Sequence, residues 1–527
     1  MNTAPTPSSR PRSRRLRRVI GVVAGILAAS LALSGCLYSL IPESTPTSTS
    51  TASLAPDTEG VDAALLPFYG QTLVWASCGT GFDCTNVRAP LDWTDPSKGD
   101  ISLSLIRHRA TSGTPLGSLL TNPGGPGASG IALIRDSLSF AVGDALQQNY
   151  DVIGFDPRGV GESTAVRCLD PAAMDAYLFT LPTAARGSDA WTAELLDAHS
   201  GFAEACDANS AGILPYITTD NAARDMDLLR GVLGDPKLNY LGYSYGTFLG
   251  ATYAKLYPER VGRMVLDGAI DPAASGLDVS TAQAIGFESA LRAYMTACLA
   301  GSDCPFRGTV DEGLADLGTL LASVDRRPIQ ASDGRMLGAD SLTTAIVAAL
   351  YSQDSWAYLS IALADVLQGN ADVAFQLVDF YYSRQNGVYS DNSTEAFRAY
   401  NCMDYPDDAT QEQKDASDAK IAAEAPTIAP YWLGPDPCDV WPYPPTGVRE
   451  RITAEGAAPI LVVGTTNDPA TPYAWSVALA EQLSSGVLIT RVGEGHTGYN
   501  KGNGCVDSAV ESYFVSGTVP QTDLRCE

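Results

Sequence analysis

The sequence predicts an α/β fold, with a central sheet that is mainly parallel in its later part and a helical segment inserted late in the chain. Short apolar runs typical of strands recur, and several precede a glycine-rich turn and a helix-like stretch. This alternation is typical of a parallel sheet with helices on both faces. The strand-like runs cover residues 72–76, 101–106, 118–120, 150–155, 238–243, 263–266, 459–463 and 487–492.

The inserted segment is recognised by a change of pattern. Segments rich in Ala and Leu at 281–299, 314–324 and 342–350 have helical spacing. We interpret this region as a helical cap between two late strands. The predicted division is core at residues 61–270, cap at 271–457 and the remainder of the core at 458–527.

The N-terminus resembles an export signal. Six arginines between positions 10 and 18 precede an uncharged run at 19–33, which is shorter than the about 20 residues that a membrane-spanning helix needs. The run ends in Leu33-Ser34-Gly35-Cys36, which resembles a bacterial lipobox. We therefore predict a lipoprotein signal peptide at 1–35 and a lipidated Cys36, with the protein on the outer face of the cell membrane or released to the medium. An uncleaved anchor helix or an ordinary signal peptide are the alternatives, and Ser13-Arg14-Arg15 leaves the export route open.

The next segment, residues 36–60, is rich in Ser, Thr and Pro from position 42 onward. Such a composition cannot bury enough apolar surface to offset the entropy of ordering, so we predict a tether. The formal charge of the whole chain is −26, which repels phosphate backbones and argues against nucleic acid as a partner. The oligomeric state is not predictable from these features.

The cysteines predict disulfides. Removing Cys36 from the eleven cysteines leaves an even number in an exported chain. Sequence alone leaves the connectivity open. Proximity along the chain suggests the pairs Cys78–Cys84, Cys168–Cys206, Cys298–Cys304, Cys402–Cys438 and Cys505–Cys526. No CxxC pair occurs and the chain has only three histidines, so we expect neither a structural metal nor a cofactor.

The chemistry centres on Gly242-Tyr243-Ser244-Tyr245-Gly246, which follows a strand-like run and precedes a helix-like one. A G-x-S-x-G sequence in this context is typical of the nucleophile elbow of an α/β hydrolase, whose serine is exposed at a tight strand-to-helix turn. Ser244 is therefore the predicted nucleophile. A chance match in a glycine-rich chain is the alternative.

A serine nucleophile needs a base and an acid, which follow it in this order along an α/β-hydrolase chain: Ser, then Asp or Glu, then His. His496 is the only histidine after Ser244. Asp468 is the first carboxylate after the run at 459–463, and we predict that it orients His496; Glu494 is a poorer candidate because it is too close in sequence to His496. Alone, His496 could be a solvated loop histidine and Asp468 part of an Asp-Pro turn.

The predicted oxyanion hole uses two backbone N–H groups. The run ending at Leu120 leads into Asn122-Pro123-Gly124-Gly125-Pro126-Gly127, where an α/β hydrolase places half of this site. We expect the N–H groups near Gly125 and at Tyr245 to bind the oxyanion. Taken by itself, a Gly/Pro loop is usually just a turn.

Three motifs now stand together: Gly-Gly-Pro-Gly at 124–127, Gly-Phe-Asp-Pro-Arg-Gly-Val-Gly-Glu-Ser at 154–163 and Gly-Tyr-Ser-Tyr-Gly-Thr at 242–247. In this combination they resemble the prolyl and tripeptidyl aminopeptidases of the α/β-hydrolase fold, in particular the secreted actinobacterial tripeptidyl aminopeptidases. The likeness extends to Val265-Leu266-Asp267-Gly268, to Cys402-Met403-Asp404 and to the segment with Asp468 and His496. Pro123 stands where prolyl enzymes of the family usually have histidine, which weakens the transfer of a strict proline preference.

The resemblance implies an aminopeptidase that acts on peptides with a free N-terminus. Exopeptidases of this kind pair the substrate ammonium with a carboxylate in or under the cap, and Asp404 is our candidate for that role. A surface aspartate beside a disulfide is the alternative for Asp404. Two other functions compete with the aminopeptidase: an esterase or lipase of the same fold, and a non-catalytic lipoprotein of the cell envelope.

Overall fold

The computed structural model describes residues 55–521 and 523–527. The predicted signal peptide, Cys36 and the tether as far as Leu54 lie outside the described residues. Within the described part of the chain, no helix combines the length and the apolar character that crossing a bilayer requires.

A ten-stranded sheet forms the centre of the fold, with strand order β1-β2-β3-β5-β4-β6-β7-β12-β13-β14. The strands from β1 to β5 in this order pair antiparallel, and those from β5 to β14 pair parallel. The α/β prediction, with a sheet that is parallel in its later part, is confirmed. The strands are β1 Ala76–Gly79, β2 Phe82–Pro90, β3 Asp100–His108, β4 Ser118–Asn122, β5 Asp151–Phe155, β6 Leu238–Tyr243, β7 Val261–Asp267, β12 Ile460–Asn467, β13 Gly486–Glu494 and β14 Leu524–Cys526.

Both edges of the sheet differ from the prediction, and β14, the strand at one of them, was not predicted. The predicted run at 72–76 reaches strand β1 only at Ala76, and β2 was not predicted. The reason is that β2 alternates buried and exposed side chains, with Arg88 exposed between the buried Val87 and Ala89. A search for continuous apolar runs finds strands that are buried on both faces and misses a strand with alternating burial, such as β2 between β1 and β3.

Helices cover both faces of the sheet. One core contains buried side chains of α6, α7 and α16, and a second core on the other face contains those of α2, α3 and α17. The helices outside the inserted segment are α1 Leu66–Tyr69, α2 Gly130–Ala141, α3 Asp144–Asn149, α4 Pro171–Phe179, α5 Asp189–Asn209, α6 Thr219–Leu233, α7 Tyr245–Leu256, α16 Tyr473–Gln482 and α17 Gly504–Ser516.

The inserted segment lies between β7 and β12, where the sequence predicts the cap. It is mainly helical and carries an apolar core of its own, which includes Phe287, Leu291 and Leu317. Two short hairpins, β8 Ile329–Gln330 with β9 Met336–Leu337 and β10 Arg384–Gln385 with β11 Val388–Tyr389, interrupt the helices. The helices are α8 Gly276–Ala300, α9 Val310–Arg326, α10 Ala339–Leu350, α11 Trp356–Leu367, α12 Asp372–Tyr381, α13 Ser393–Asp404, α14 Gln411–Glu424 and α15 Ala429–Trp432.

The last residues of the predicted tether contact the core. The backbone N–H of Asp57 donates to Gly231 O at 2.8 Å, and the Asp57 carboxylate accepts from Arg230 at 2.6 Å. The Arg230 side chain is fully buried, and a buried guanidinium needs carboxylate partners, which Asp57 and Asp227 provide. Attachment to the fold thus begins before the boundary that composition predicts.

The five disulfides of the structure are the five pairs that proximity suggests: Cys78–Cys84, Cys168–Cys206, Cys298–Cys304, Cys402–Cys438 and Cys505–Cys526. One of them, Cys402–Cys438, ties the end of cap helix α13 to a later part of the cap.

Candidate active site

Ser244 lies in a tight turn between β6 and α7. Its backbone has φ 54° and ψ −124°, a conformation that non-glycine residues rarely adopt, and its N–H donates to Asp267 O at 2.9 Å. The two elbow glycines are required by close approach: a Cβ on Gly242 would lie 2.4 Å from Gly246 O, and one on Gly246 would lie 2.8 Å from Asn122 Oδ1. The turn therefore holds a partly exposed Ser244 side chain at the carboxyl edge of the sheet.

The loop after β4 passes directly beside this turn. A Cβ on Gly124 would lie 2.8 Å from Ser244 Cβ and 3.1 Å from Tyr245 N, so only glycine fits there. The Gly124 N–H is occupied, because it donates to Asn122 Oδ1 at 2.9 Å. The N–H groups of Gly125 and Tyr245 have no acceptor among the described residues. These two donors are therefore free to bind an oxyanion, and their role as the oxyanion hole stays a prediction.

Asp468 and His496 are in contact. His496 Nδ1 lies 2.9 Å from each carboxylate oxygen of Asp468. Asp468 also accepts from the backbone N–H groups of Ala470, Thr471 and Thr497, at 2.9–3.1 Å. A buried carboxylate with these donors is held as an acceptor facing the imidazole, which keeps the Nδ1–H tautomer of His496 in place.

Two residues around His496 were not predicted from the sequence. Thr471 Oγ1 donates to Asp468 Oδ2 at 3.0 Å and lies 3.3 Å from His496 Nδ1. Tyr351 lies at the end of cap helix α10, and its carbonyl oxygen accepts a hydrogen bond from the backbone N–H of His496 at 2.9 Å. The Tyr351 ring contacts the imidazole edge-on, with 5.3 Å between ring centroids. The cap thus takes part in holding the candidate base.

The second imidazole nitrogen is open. His496 Nε2 is buried and has no hydrogen-bond partner within the described structure, so it forms no hydrogen bond with Ser244 Oγ. A Cβ on Gly268 would lie 3.2 Å from His496 Cε1, and Gly268 directly follows Asp267, whose carbonyl oxygen accepts the Ser244 N–H. The imidazole therefore lies beside Gly268, one residue after the acceptor of the Ser244 backbone N–H. Catalytic hydrogen bonds often tighten only when substrate binds.

Asp267 joins the two halves of the site. Its backbone oxygen accepts from Ser244, while its carboxylate accepts from the N–H groups of Gly498 at 2.8 Å and Tyr499 at 2.8 Å, just after His496. Burial raises the pKa of the Asp267 carboxyl to about 6. This residue lies in the Val265–Gly268 motif, but nothing in the motif indicates its contact with the histidine loop.

The motif at 154–163 supports the oxyanion loop from behind. The Asp156 carboxylate accepts from Ser129 Oγ at 2.6 Å, from Ile131 N at 3.2 Å and from Glu162 N at 2.8 Å, which fixes the start of α2. Arg158 is fully buried and forms two hydrogen bonds, at 2.6 and 2.7 Å, with the carboxylate of Asp225. The charged residues of this motif are therefore structural.

Glu494, the poorer candidate for the acid, and His199, a histidine that precedes Ser244 in the chain, both make their contacts away from the His496 imidazole. Glu494 bonds Asn467 and not His496. His199 contacts the Tyr177 hydroxyl at 3.1 Å, and burial lowers the pKa of its imidazole to about 4. Among the described residues, no group of three or more His, Cys, Asp or Glu side chains is arranged to hold a metal ion.

Comparison with known proteins agrees with this geometry. A family model described as TAP-like protein matches residues 425–526. Over a longer span, the chain is 30% identical to the tripeptidyl aminopeptidase of Streptomyces lividans, covering 86% of each chain. This chain belongs to the TAP-like family of α/β hydrolases.

Two further relatives of this TAP-like chain come from Mycobacterium tuberculosis. Serine protease Hip1 is 34% identical to it over 87% of this chain and 92% of the relative. Carboxylesterase B is 39% identical over 84% of this chain and 86% of the relative. The fold, the relatives and the Ser244 elbow together make the chain a serine hydrolase.

The cap of this TAP-like hydrolase contacts the loops on both sides of Ser244. On the acid side, Gln283 of α8 donates to Ala470 O at 2.9 Å, and Ser289 donates to Asn467 Oδ1 at 2.7 Å. On the oxyanion side, the first turn of α13 packs on Gly127, where a Cβ would lie 2.8 Å from Ser393 O. The position of the cap is thus coupled to the position of the candidate catalytic groups.

Asp404, the candidate for binding the substrate amine, is buried at the end of α13. Oδ1 accepts from Thr219 N at 2.9 Å, and Oδ2 accepts from Thr219 Oγ1 at 2.6 Å. Burial raises the pKa of this carboxyl to about 6. Each oxygen thus already has a donor from the protein, and the alternative of a surface aspartate is wrong because the side chain is only 4% exposed.

Proposed function

We propose that this serine hydrolase is an exported, lipid-anchored aminopeptidase that releases short peptides from free N-termini through an acyl-enzyme on Ser244. The observation that carries the proposal is the contact of Asp468 with His496 against the Ser244 turn, in a chain that matches a tripeptidyl aminopeptidase over 86% of its length. The contacts of the cap with the loops on both sides of Ser244 add support, because a cap in this position would limit binding to the ends of peptide chains.

In the proposed reaction, each of the candidate groups has one role. His496 Nε2 takes the Ser244 proton as Oγ attacks the scissile carbonyl, and the N–H groups of Gly125 and Tyr245 hold the developing oxyanion. His496 then gives that proton to the leaving amine. A water molecule then gives a proton to the same nitrogen and attacks the acyl carbon, and the bond to Ser244 Oγ breaks as that oxygen takes the proton back from His496. Asp468 stays ionised throughout and holds the imidazole.

The second candidate function is that of an esterase. The observation that favours it is the 39% identity to a relative named Carboxylesterase B, since fold and triad do not decide the substrate. Both candidates form the same acyl-enzyme, so the leaving group and the N-terminus of the substrate have to be compared directly.

The experiment compares three substrates at equal protein concentration: a tripeptide p-nitroanilide with a free N-terminus, its N-acetylated form, and p-nitrophenyl butyrate. If a carboxylate pairs with the substrate ammonium, acetylation leaves that anion unpaired and lowers kcat/KM by about two to four orders of magnitude. Equal cleavage of the free and acetylated peptides would refute the aminopeptidase and leave a general hydrolase. Turnover of the butyrate ester alone would favour the esterase.

The lipid anchor is tested separately. Replacing Cys36 by Ala removes the only thiol at the predicted cleavage site, so the protein is expected to leave the membrane fraction for the medium or to remain an unprocessed precursor. The matched control is Cys78→Ala with Cys84→Ala, which removes one disulfide and keeps Cys36. Unchanged membrane extraction and processing of the Cys36 variant would refute the anchor.

A further inference from the structure

A chain of hydrogen bonds leads from a buried carboxylate to one of the candidate oxyanion donors. The Asp404 carboxylate accepts both the N–H and the hydroxyl of Thr219, and Thr219 Oγ1 lies 2.5 Å from the Tyr245 hydroxyl. Asp404 and Tyr245 are both buried, at 4% exposure each. Three residues from α13, the start of α6 and the start of α7 thus meet behind the nucleophile turn.

The direction of these bonds follows from the chemistry of the groups. An ionised carboxylate can only accept hydrogen bonds. The Thr219 hydroxyl therefore donates its single hydrogen to Asp404 and accepts a hydrogen bond from the Tyr245 hydroxyl. Burial holds the pKa of the Tyr245 phenol well above its usual value, which keeps this hydroxyl a donor. The three residues then form a chain of hydrogen bonds in which Tyr245 donates to Thr219 and Thr219 donates to Asp404. We call this chain the relay.

The far end of the relay is the residue that follows the nucleophile. The Tyr245 backbone N–H has no acceptor among the described residues and faces the Gly124 loop. The Tyr245 ring is confined by Tyr400, at 5.7 Å between centroids, and by Phe248, at 6.4 Å. Packing confines the ring and the hydrogen bond fixes its hydroxyl, so the Tyr245 side chain is held in one position directly beside the backbone N–H at the start of α7.

We propose that Asp404 and Thr219 are positioning residues for the oxyanion hole, acting through the side chain of Tyr245 on its backbone N–H. This role replaces the pairing of Asp404 with the substrate ammonium. The inference rests on Ser244 as the nucleophile of the proposed function, and it is independent of whether the natural substrate is a peptide or an ester.

Because an oxyanion donor acts mainly on the transition state, loosening it lowers kcat and leaves KM nearly unchanged. Loss of one donor typically costs about 10²–10³ in turnover, and a misaligned donor less, so we expect about a tenfold loss. The loss applies equally to substrates with and without an amine. An ammonium-binding carboxylate acts differently, because its removal raises KM for free-amine peptides and spares neutral esters.

The test measures kcat and KM for p-nitrophenyl butyrate and for the free and acetylated tripeptide anilides, together with the melting temperature of each variant. Thr219→Val removes the hydroxyl at constant shape, Thr219→Ser keeps it, and Tyr245→Phe removes the other end of the relay. The matched control is Tyr294→Phe, which removes a buried tyrosine hydroxyl bonded to Ser360 within the cap.

The expected result is a loss of about tenfold in ester kcat for Thr219→Val and for Tyr245→Phe, with KM within twofold. Thr219→Ser is expected to retain most of the activity. The double variant that combines Thr219→Val with Tyr245→Phe is expected to be no less active than the less active single variant, because both changes break the same relay. Ester kcat within twofold of the unmodified protein in folded Thr219→Val or Tyr245→Phe would overturn the proposal. So would an Asp404→Asn variant impaired only in KM for free-amine peptides.

A second measurement covers the case in which Thr219→Val fails to fold. Tyr245→Phe and Asp404→Asn, combined and alone, then give the same comparison, since both lie on the relay and their effects on ester kcat should not add. Full additivity of the two would overturn the relay. Failure of the proposed function would look different, because it would appear in the unmodified protein, as equal cleavage of the free and acetylated peptides or as turnover of the ester alone.

Discussion

Two buried aspartates near Ser244 are held in different ways. Asp468 receives three backbone N–H groups and the Thr471 hydroxyl, and its remaining contact is the imidazole of His496. Asp404 receives both of its hydrogen bonds from Thr219. Burial is the same, at 3% and 4% exposure, but one carboxylate faces a base with an open nitrogen and the other faces a hydroxyl.

The difference shows what decides the role of a buried acid. Desolvation of a carboxylate is costly in either place, and hydrogen bonds from the protein compensate for it in both. What separates the two is the last group in each chain: a titratable imidazole next to the nucleophile, or a phenol that orients a backbone donor. We therefore expect Asp468 to control proton transfer and Asp404 to control geometry.

The largest expected effect is that of Asp468→Asn. The amide would keep the size of the side chain but would favour the wrong tautomer of His496, and kcat is expected to fall about 10⁴-fold. The matched control is Asp235→Asn, which changes a buried aspartate before β6, at the opposite end of that strand from Ser244. A loss of less than tenfold in ester and anilide turnover would show that another group is the acid.

Asp267 is the alternative catalytic acid, since it ends the neighbouring strand β7. Its replacement tests which of the two aspartates, Asp267 or Asp468, acts on His496. Its carboxylate contacts the N–H groups of Gly498 and Tyr499 rather than the imidazole, so Asp267→Asn should loosen the histidine loop without removing the partner of His496. We expect kcat to fall about 10–100-fold, clearly less than for Asp468→Asn. An equal or larger loss in steady-state assays would exchange the roles of the two residues.

The smallest expected effect concerns a buried carboxyl outside the site. Burial raises the pKa of Glu395, on α13, from 4.5 to about 7. Between these values the fold holds a proton that the unfolded chain releases, so stability present below pH 4.5 is lost as the pH rises to 7 and stays lost above it. Glu395→Gln removes this penalty and should stabilise the protein at pH 8 by roughly 1–2 kcal/mol, and not at pH 4.

Thermal or urea unfolding at the two pH values measures this effect. The matched control is Glu481→Gln, which makes the same change at an exposed glutamate on α16. A Glu395→Gln gain of the same size at pH 4 and pH 8 would mean that packing of the amide, and not the charge, is responsible.

The sequence predicts those parts of the site that depend on local geometry. Ser244 is found because its turn requires Gly242 and Gly246, and Asp468 and His496 because each follows a late strand. Thr471 and Tyr351 were missed because their contacts with His496 exist only in three dimensions. No periodicity or spacing in the cap indicates that the residue ending α10 meets a loop more than a hundred positions later.

The fold shows the same division. The buried parallel strands appear as apolar runs and were predicted, whereas strand β2, whose side chains alternate between buried and exposed, was not. Asp404 was singled out through a motif shared with a family, yet its burial and its contact with Thr219 depend on how α13 packs against α6. A motif thus located a residue that matters without giving its contacts, and the contacts are what assign its role.

Covalent labelling decides whether Ser244 is an activated nucleophile. The protein is treated with a fluorophosphonate probe, and the intact mass and the labelled peptide are determined for the unmodified chain and for Ser244→Ala. We predict one probe per chain, located on Ser244, and no labelling of a Ser244→Ala variant with an unchanged melting temperature. Labelling at another residue, or none in the folded unmodified protein, would contradict the account.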